Sequence, residues 1–384
     1  MHNQPVFALE QYLLKYEHKA EISLCNSGLD PLTLSQLLAV CDSETRALWE
    51  QQMLGYSEPQ GHPLLRAEIA SLYECSNEVS DGAKQKLAPV LFAGASEAIL
   101  CGLSALLSAD DHCIVITPCY QSLKTVPQKL CETTTVSLQP EDGQWRLDLS
   151  AIREAIQPNT RAVVINFPHN PTGALPERAI LDELVALARQ YGLYLFSDEV
   201  YRGLEMPGVE PWPPLANVYE RGISVGSLSK LYALPGVRTG WLACPDSAFL
   251  EAASGLKHFT SICNNTPGEI LSLIALRARH ALVPASKAAL SSHFEQMEAF
   301  LNRHADLFEW IPPQAGCLIF PQLKRGMSAE RFALDLLYTQ KVLVLPGQVY
   351  DFPGEALRLS FAGRTLPQAL QGVENFIGQM ALVH

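Results

Sequence analysis

This 384-residue sequence has no excess of basic residues. Asp and Glu outnumber Lys and Arg 40 to 28, and a net charge of -12 argues against nucleic acid as a partner. None of the ten cysteines stands in the C-x-x-C spacing of a zinc or redox site, so reduced, mostly buried thiols are expected. The opening MHNQPVFALEQYLL lacks the basic stretch, apolar core and small-residue cleavage site of a secretory leader, which makes cytoplasm the expected compartment. No uninterrupted apolar run suggests a membrane span: the best candidate, Pro89 to Leu107, is broken by Gly94, Ser96, Glu97 and Gly102. Also missing is G-x-x-x-x-G-K-[ST] for a nucleotide, and FAGASEAILCGLSALL is no nucleophile elbow, because G-x-S-x-G needs glycine at Ala98. Repeats and low-complexity tracts are absent as well.

What is present is a globular composition, 48% hydrophobic and 18% charged, on a chain long enough for two domains. Short apolar runs alternate with amphipathic stretches through the middle of the sequence, the pattern of a mostly parallel sheet between helices. Seven runs read as strands: PVLFA near Pro89, CIVITP from Cys113, TTVSL from Thr134, AVVINF from Ala162, LYLFSD from Leu193, GISVGS from Gly222 and TGWLACP from Thr239. The intervening PERAILDELVALARQYG puts Leu181, Leu184, Val185 and Ala188 on one helical face and ends on a capping Gly192. From about Gly268 long helical segments take over, followed by short strands around GCLIFPQL, VLVLPG and ALRLSF. The fold expected is α/β: a large domain over 45–280 with a seven-stranded, mostly parallel sheet, and a smaller α+β domain from 1–44 and 281–384. The Pro-rich MPGVEPWPPLA reads as a surface loop.

Four strand exits carry candidate chemistry. In FAGASEAIL, Gly94, Ala95 and Ser96 put backbone N–H groups at a helix N-terminus, where phosphate binds; taken alone, the same residues make an ordinary turn with Ser96 as a cap. INFPHNPTGALP builds a rigid turn that sets Asn170 beyond the sheet edge, able to donate to a phenolate-like oxygen. LYLFSDEVYRGL ends a buried strand on Asp198, with Tyr201 three residues on. A strand-end acid is often a helix cap; facing a ring nitrogen, it keeps that ring protonated and electron-withdrawing. In VGSLSKLYALPGVRTGW, Lys230 follows a buried strand among small hydroxyl residues, where desolvation lowers an amine's pKa and favours an imine. Arg238, eight residues later, completes an anion cup with Ser96 and Ser227.

Together N-P-T-G, D-E-V-Y, S-x-S-K, the following arginine and a late R-L-S-F resemble, in order and approximate spacing, the fold type I, class I and II aminotransferases. The resemblance runs over nearly the whole chain and implies pyridoxal 5'-phosphate held as a Schiff base on Lys230, which also shuttles the α-proton. It further implies Asp198 at the pyridine nitrogen, Asn170 and Tyr201 at the phenolic oxygen, and Tyr120 of TPCYQSL stacked on the ring. Ala95, Ser96, Ser227 and Arg238 would hold the phosphate. Arg358 of ALRLSF would clamp the substrate carboxylate as a bidentate pair, with Asn170 and the turn at Gly28 beside it. Tyr56 in LGYSEPQGHPLL matches a tyrosine that reaches the neighbouring subunit's phosphate, which implies a homodimer with shared sites.

Loss of the α-proton is the shared step, and transamination of an L-amino acid to a 2-oxo acid is the family's commonest outcome. The start of the chain, LEQYLLKYEHKAEISLCNSGLDPLTLSQLL, lacks the usual G-x-P-type turn and is similar instead to capreomycidine synthases, which cyclise a hydroxylated arginine. On that alternative Glu10 meets a guanidinium; otherwise it is a solvated helix residue. Aminotransferase-like effector domains of transcription regulators are a third reading, opposed by the acidic charge and by too few residues ahead of the core for a helix-turn-helix domain.

Overall fold

A computed structural model of the chain describes residues 6–74, 87–324 and 326–381. Cys75 and the first five residues, on which the thiol and leader readings partly rest, lie outside them.

Seven strands form the central sheet: β1 (Val90–Phe92), β2 (His112–Thr117), β3 (Glu132–Ser137), β4 (Thr160–Asn166), β5 (Tyr194–Asp198), β6 (Gly222–Ser227) and β7 (Gly240–Ala243), in the order β1-β7-β6-β5-β4-β2-β3. All seven runs expected from the sequence are there, in an α/β fold. The central β4, β5 and β6 are buried along nearly their whole length, as continuous apolar strands covered on both faces must be, whereas β3 (ETTTVS) is the polar, half-exposed edge. Between β4 and β5 runs α1 (Arg178–Tyr191), which buries Leu181, Leu184, Val185 and Ala188 and stops where Gly192 turns left-handed at φ 66°. Each leucine so buried contributes on the order of 2 kcal/mol.

The strand order fixes where a ligand can sit. β2 and β3 build one side of the sheet, then the chain returns through β4, β5 and β6 on the other, so the C-terminal strand ends splay around a switch point. β7 alone runs antiparallel, to both β6 and β1. Its first residues therefore reach the same sheet edge at which the other strands end, and that antiparallel entry delivers Arg238.

Beyond the sheet, Leu318–Ile319, Leu357–Ser360 and Leu345–Pro346 form a small antiparallel sheet flanked by the helices Arg279–Arg303, Ala329–Gln340 and Leu366–Ala381. The segment after the N-terminal helix Ala8–Tyr16 joins this C-terminal part, since Ile22–Ser23 pairs in parallel with Val342–Leu343. Leu24, Leu29, Phe300, Leu336, Leu357 and Phe361 share one apolar cluster. The Pro-rich loop is less superficial than its composition suggests. Trp212 is buried against Phe167 with ring centres 5.1 Å apart, and its Nε1 donates to Pro176 O at 2.6 Å. Among the described residues six of nine unpaired cysteines are buried, and no helix is long and apolar enough to cross a membrane.

Candidate active site

A cavity of about 350 Å³ opens at the C-terminal strand ends, and Ala95, Ser96, Tyr120, Asn170, Asp198, Tyr201, Lys230, Arg238 and Arg358 all line it. They come from several exits of the fold: Ala95 and Ser96 from one helix start, Asp198 and Tyr201 from the end of β5, and Lys230 and Arg238 from the link between β6 and β7. Asp198 is the last residue of β5, paired in register with Asn166 of β4 and Val225 of β6. It is 4% exposed, and burial raises its carboxyl to about 6, against one hydrogen bond from Val200 N at 3.1 Å. The neighbouring Glu199 is buried on the far side, where it accepts from Leu215 N at 2.9 Å and Ser224 Oγ at 2.8 Å and so anchors the turn behind Asp198. Asn170 is held by its own N–H on Asn166 Oδ1 at 3.0 Å.

Lys230 follows β6. Burial lowers its amine to about 8, with the Arg358 and Arg238 charges acting in the same direction and Asp198 opposing them. Its Nζ donates to Ser27 Oγ at 2.6 Å and lies 5.5 Å from the centre of the Tyr201 ring. The Tyr201 hydroxyl, pushed well above its usual range by burial, donates to Ser27 O at 2.7 Å.

At the other end of the cavity the helix Ala95–Leu106 begins. Its first residue is preceded by Gly94 at φ 87°, with no side chain capping the free N–H groups. A Cβ on Gly94 would stand 2.2 Å from Arg238 Nη2, so only glycine lets the guanidinium lie over this terminus. Arg238 is itself left-handed, at φ 52°, an uncommon conformation for a side-chain-bearing residue that the fold maintains at this site. Glu97 accepts from Ala93 N, Thr260 and Ser261, fastening the first helical turn from behind. Ser96 Oγ is 3.4 Å from the Tyr120 hydroxyl. Ser227 is buried rather than at the cavity wall; it bonds to Ser229, and Ser229 faces the cavity in its place.

Arg358, 3% exposed, closes the third side. Its Nη1 donates to the Tyr350 hydroxyl and to Asn170 Oδ1 at 3.4 Å, its Nη2 donates to Cys25 O at 2.5 Å, and its buried Nε has no partner. With the Asn170 oxygen so engaged, its NH₂ group is left to donate.

Of the remaining sequence candidates, Glu10 lines the cavity, joined by Glu17 from the 3-10 turn that follows its helix. Gly28 lies behind the lysine, where a Cβ would be 3.5 Å from Lys230 Cδ. Tyr56 is 88% exposed and is not part of its own chain's cavity. Sequence reasoning missed Ser27, Cys25, Ser229 and Tyr350. Ser229 stood in view inside S-x-S-K, and the departure from G-x-P flagged the Ser27 segment without naming its residue.

Residues 22–376 match the family described as Aminotransferase class I and II. Aromatic-amino-acid aminotransferase 2 of Thermococcus litoralis is 26% identical over 338 residues, 85% of each chain. Capreomycidine synthase of Streptomyces vinaceus is 27% identical over 364 residues, 93% of this chain and 90% of that one. The crystal structure of a PLP-dependent aminotransferase from Streptococcus suis superposes with a TM-score of 0.89 at 29% identity, covering 98% of both chains.

Proposed function

Because the chain belongs to the class I and II aminotransferases, enzymes that depend on pyridoxal 5'-phosphate, we propose that its cavity carries that cofactor on Lys230 and transaminates an L-amino acid to a 2-oxo acid. One observation carries the reading: a desolvated amine, a buried carboxyl and an uncapped helix terminus under a guanidinium share one cavity, with an unpartnered arginine Nε on its remaining side. The residues fit the group end to end. Ala95, Ser96, Ser229 and Arg238 suit its phosphate, with Ser227 bracing Ser229. Asp198 suits a ring nitrogen, Tyr120 a ring face and the Asn170 amide a phenolic oxygen, which the Tyr201 hydroxyl would join by turning its one proton away from Ser27 O.

When bound, pyridoxal phosphate supplies an aldehyde that condenses with primary amines and a protonated ring that withdraws electrons from the substrate's α-carbon. The protein's part is to bind, orient and move a proton. Arg358 receives the substrate carboxylate through a guanidinium whose Nε still lacks a partner, since a planar fork suits a bidentate pair. Asp198, ionised against a cationic ring nitrogen, holds a proton at that atom. Lys230, with an amine lowered to about 8, is close enough to neutral at physiological pH to take a proton and return it.

Borohydride reduction followed by peptide mapping tests the first half, with the cofactor's mass expected on the Lys230 peptide. A panel of amino acids tests the second: 2-oxo acid should accumulate as the cofactor is aminated. A capreomycidine-synthase-like cyclisation is the second reading, favoured by the two carboxylates of Glu10 and Glu17 at the cavity, which suit a guanidinium side chain. Loss of water from a hydroxylated arginine without 2-oxo acid would select it.

Tyr56 gains a role in a homodimer. Exposed Met53, Leu54, Phe259 and Ile262 make an apolar surface with it, the two stretches being tied by Ser57 Oγ on Asn264 O at 2.7 Å and Thr266 Oγ1 on Gly55 O at 3.1 Å. A second copy docked there would bring Tyr56 to the partner's phosphate cup. Sedimentation should return twice the chain mass, falling to one when Tyr56, Leu54 and Phe259 are made polar.

A further inference from the structure

The contacts around Lys230 single out a hydroxyl that no motif announces. Its Nζ donates to Ser27 Oγ at 2.6 Å, and the Ser27 carbonyl takes the Tyr201 hydroxyl at 2.7 Å, so one residue of the N-terminal segment holds both groups. Gly28 then lies along the lysine stem, close enough that a Cβ would sit 3.3 Å from Ser229 O and 3.5 Å from Lys230 Cδ. Ser27 does not hang on a free loop. Upstream, Leu24 N bonds Leu343 O at 2.9 Å and Leu24 O accepts from Ser360 N at 2.8 Å; downstream, Asp30 Oδ2 accepts from Arg364 N at 2.7 Å and Nε at 3.1 Å. The segment that carries the hydroxyl is thus anchored on both sides of Ser27, which lines the cavity.

We propose that Ser27 is a positioning residue for Lys230: its hydroxyl holds the free amine in the orientation from which the lysine exchanges a proton with substrate. The inference rests on the assignment of Lys230 above. A lysine acts as a base only with its amine free, and a flexible four-carbon stem does not aim that amine by itself. In the transfer the amine lone pair takes the substrate's proton and later returns it, while Ser27 accepts a hydrogen bond throughout and neither gains nor loses a proton. An ammonium has three donors and no acceptor, so an oxygen facing it also favours the charged form against burial.

Ser27→Ala removes the hydroxyl and leaves the backbone carbonyl to Tyr201. Its kcat should fall about tenfold with KM within about twofold of the parent, the size expected for one hydrogen bond that acts on the base. Ser27→Thr, which restores the oxygen, should recover most of the rate. On cofactor-free protein, the pH midpoint for acylation of Lys230, read by peptide mass, should move down in Ser27→Ala and return in Ser27→Thr. Unchanged kcat and midpoint in a folded Ser27→Ala overturn the proposal, as does equal loss in the alanine and threonine variants. If borohydride fixes the cofactor to some residue other than Lys230, the assignment beneath the proposal fails, which is a different result from a normal Lys230 adduct with an indifferent Ser27.

Discussion

On the sheet side of the cavity, Asp198 ends a strand that is paired on both flanks, and Lys230 follows another such strand. On the opposite side the bonds span far more chain: Tyr201 to Ser27 crosses 174 residues, Lys230 to Ser27 crosses 203 and Arg358 to Cys25 crosses 333. The first side is positioned by ladders that form the core, so a side chain there can be exchanged without moving the frame. The second is held by a few long-range contacts on a segment paired through the two residues Ile22–Ser23. Substitutions on the sheet side should therefore strike the chemical step, as should loss of the Ser27 hydroxyl that reaches across to Lys230, whereas substitutions of Arg358 and its partners should strike substrate binding.

Lys230→Ala gives the sharpest test of the sheet side. The turnover rate should drop by about a thousandfold or more, since a positioned acid-base group contributes roughly 10²–10⁴, and borohydride should no longer fix the cofactor to the protein. Recovery of activity with added small amines would confirm that the amine alone was missing.

Asp198→Asn comes next, with about a hundredfold loss in kcat, and it carries a stability signature of opposite sign. The folded carboxyl titrates at about 6 and the unfolded one near 3.8. Between those values the folded state keeps a proton that the unfolded chain has released, so stability falls as pH climbs through this window and stays lower above it. Removing the charge removes that loss. Cofactor-free Asp198→Asn should melt above the parent at pH 7 to 8, by about 1–2 kcal/mol, and the gap should close near pH 4.

Arg358→Lys probes the other side. Lysine retains the charge but not the fork, and its single ammonium cannot serve Tyr350, Asn170, Cys25 and a carboxylate together. We expect kcat/KM for amino acids to fall about 30- to 100-fold, mostly through KM, while borohydride still fixes the cofactor to Lys230. A fall confined to kcat would erase the distinction between the two sides.

The same contrast explains what the sequence made legible. Asp198, Asn170 and Lys230 stand at strand exits, where a buried apolar run followed by a turn reveals both the residue's position and the edge it faces. Arg238 was visible because an antiparallel strand follows it directly. Ser27 and Tyr350 carried no such signal: a serine in CNSGLD and a tyrosine after VLVLPG acquire meaning only when distant segments meet. The S-x-S-K spacing places Ser227 in the cup, whereas its hydroxyl turns to Thr239 O at 3.3 Å and to Ser229, because it ends a strand that is covered on both faces. Tyr56 is exposed at the surface, and the role proposed for it needs a second copy of the chain.

Tyr350→Phe should have the smallest effect, and it tests the seam between the two sides. The Tyr350 hydroxyl accepts from Arg358 Nη1 and lies 3.3 Å from Asn170 Oδ1, joining a substrate-side cation to a sheet-side amide. Burial pushes that phenol up to about 12, so it remains a neutral donor at any working pH. Phenylalanine keeps the ring that packs edge-on to Phe320 at 6.2 Å and removes only the bridge. Arg358 then keeps Cys25 and Asn170, and Asn170 keeps its backbone anchor on Asn166. Losing one hydroxyl that accepts from a guanidinium with other partners corresponds to about 1.5 kcal/mol, or roughly tenfold in kcat/KM. If the two sides act as separate units, that loss appears in KM alone. Should kcat fall with it, the bridge transmits the arginine's position to the amide, and the line between binding side and chemical side passes through Tyr350.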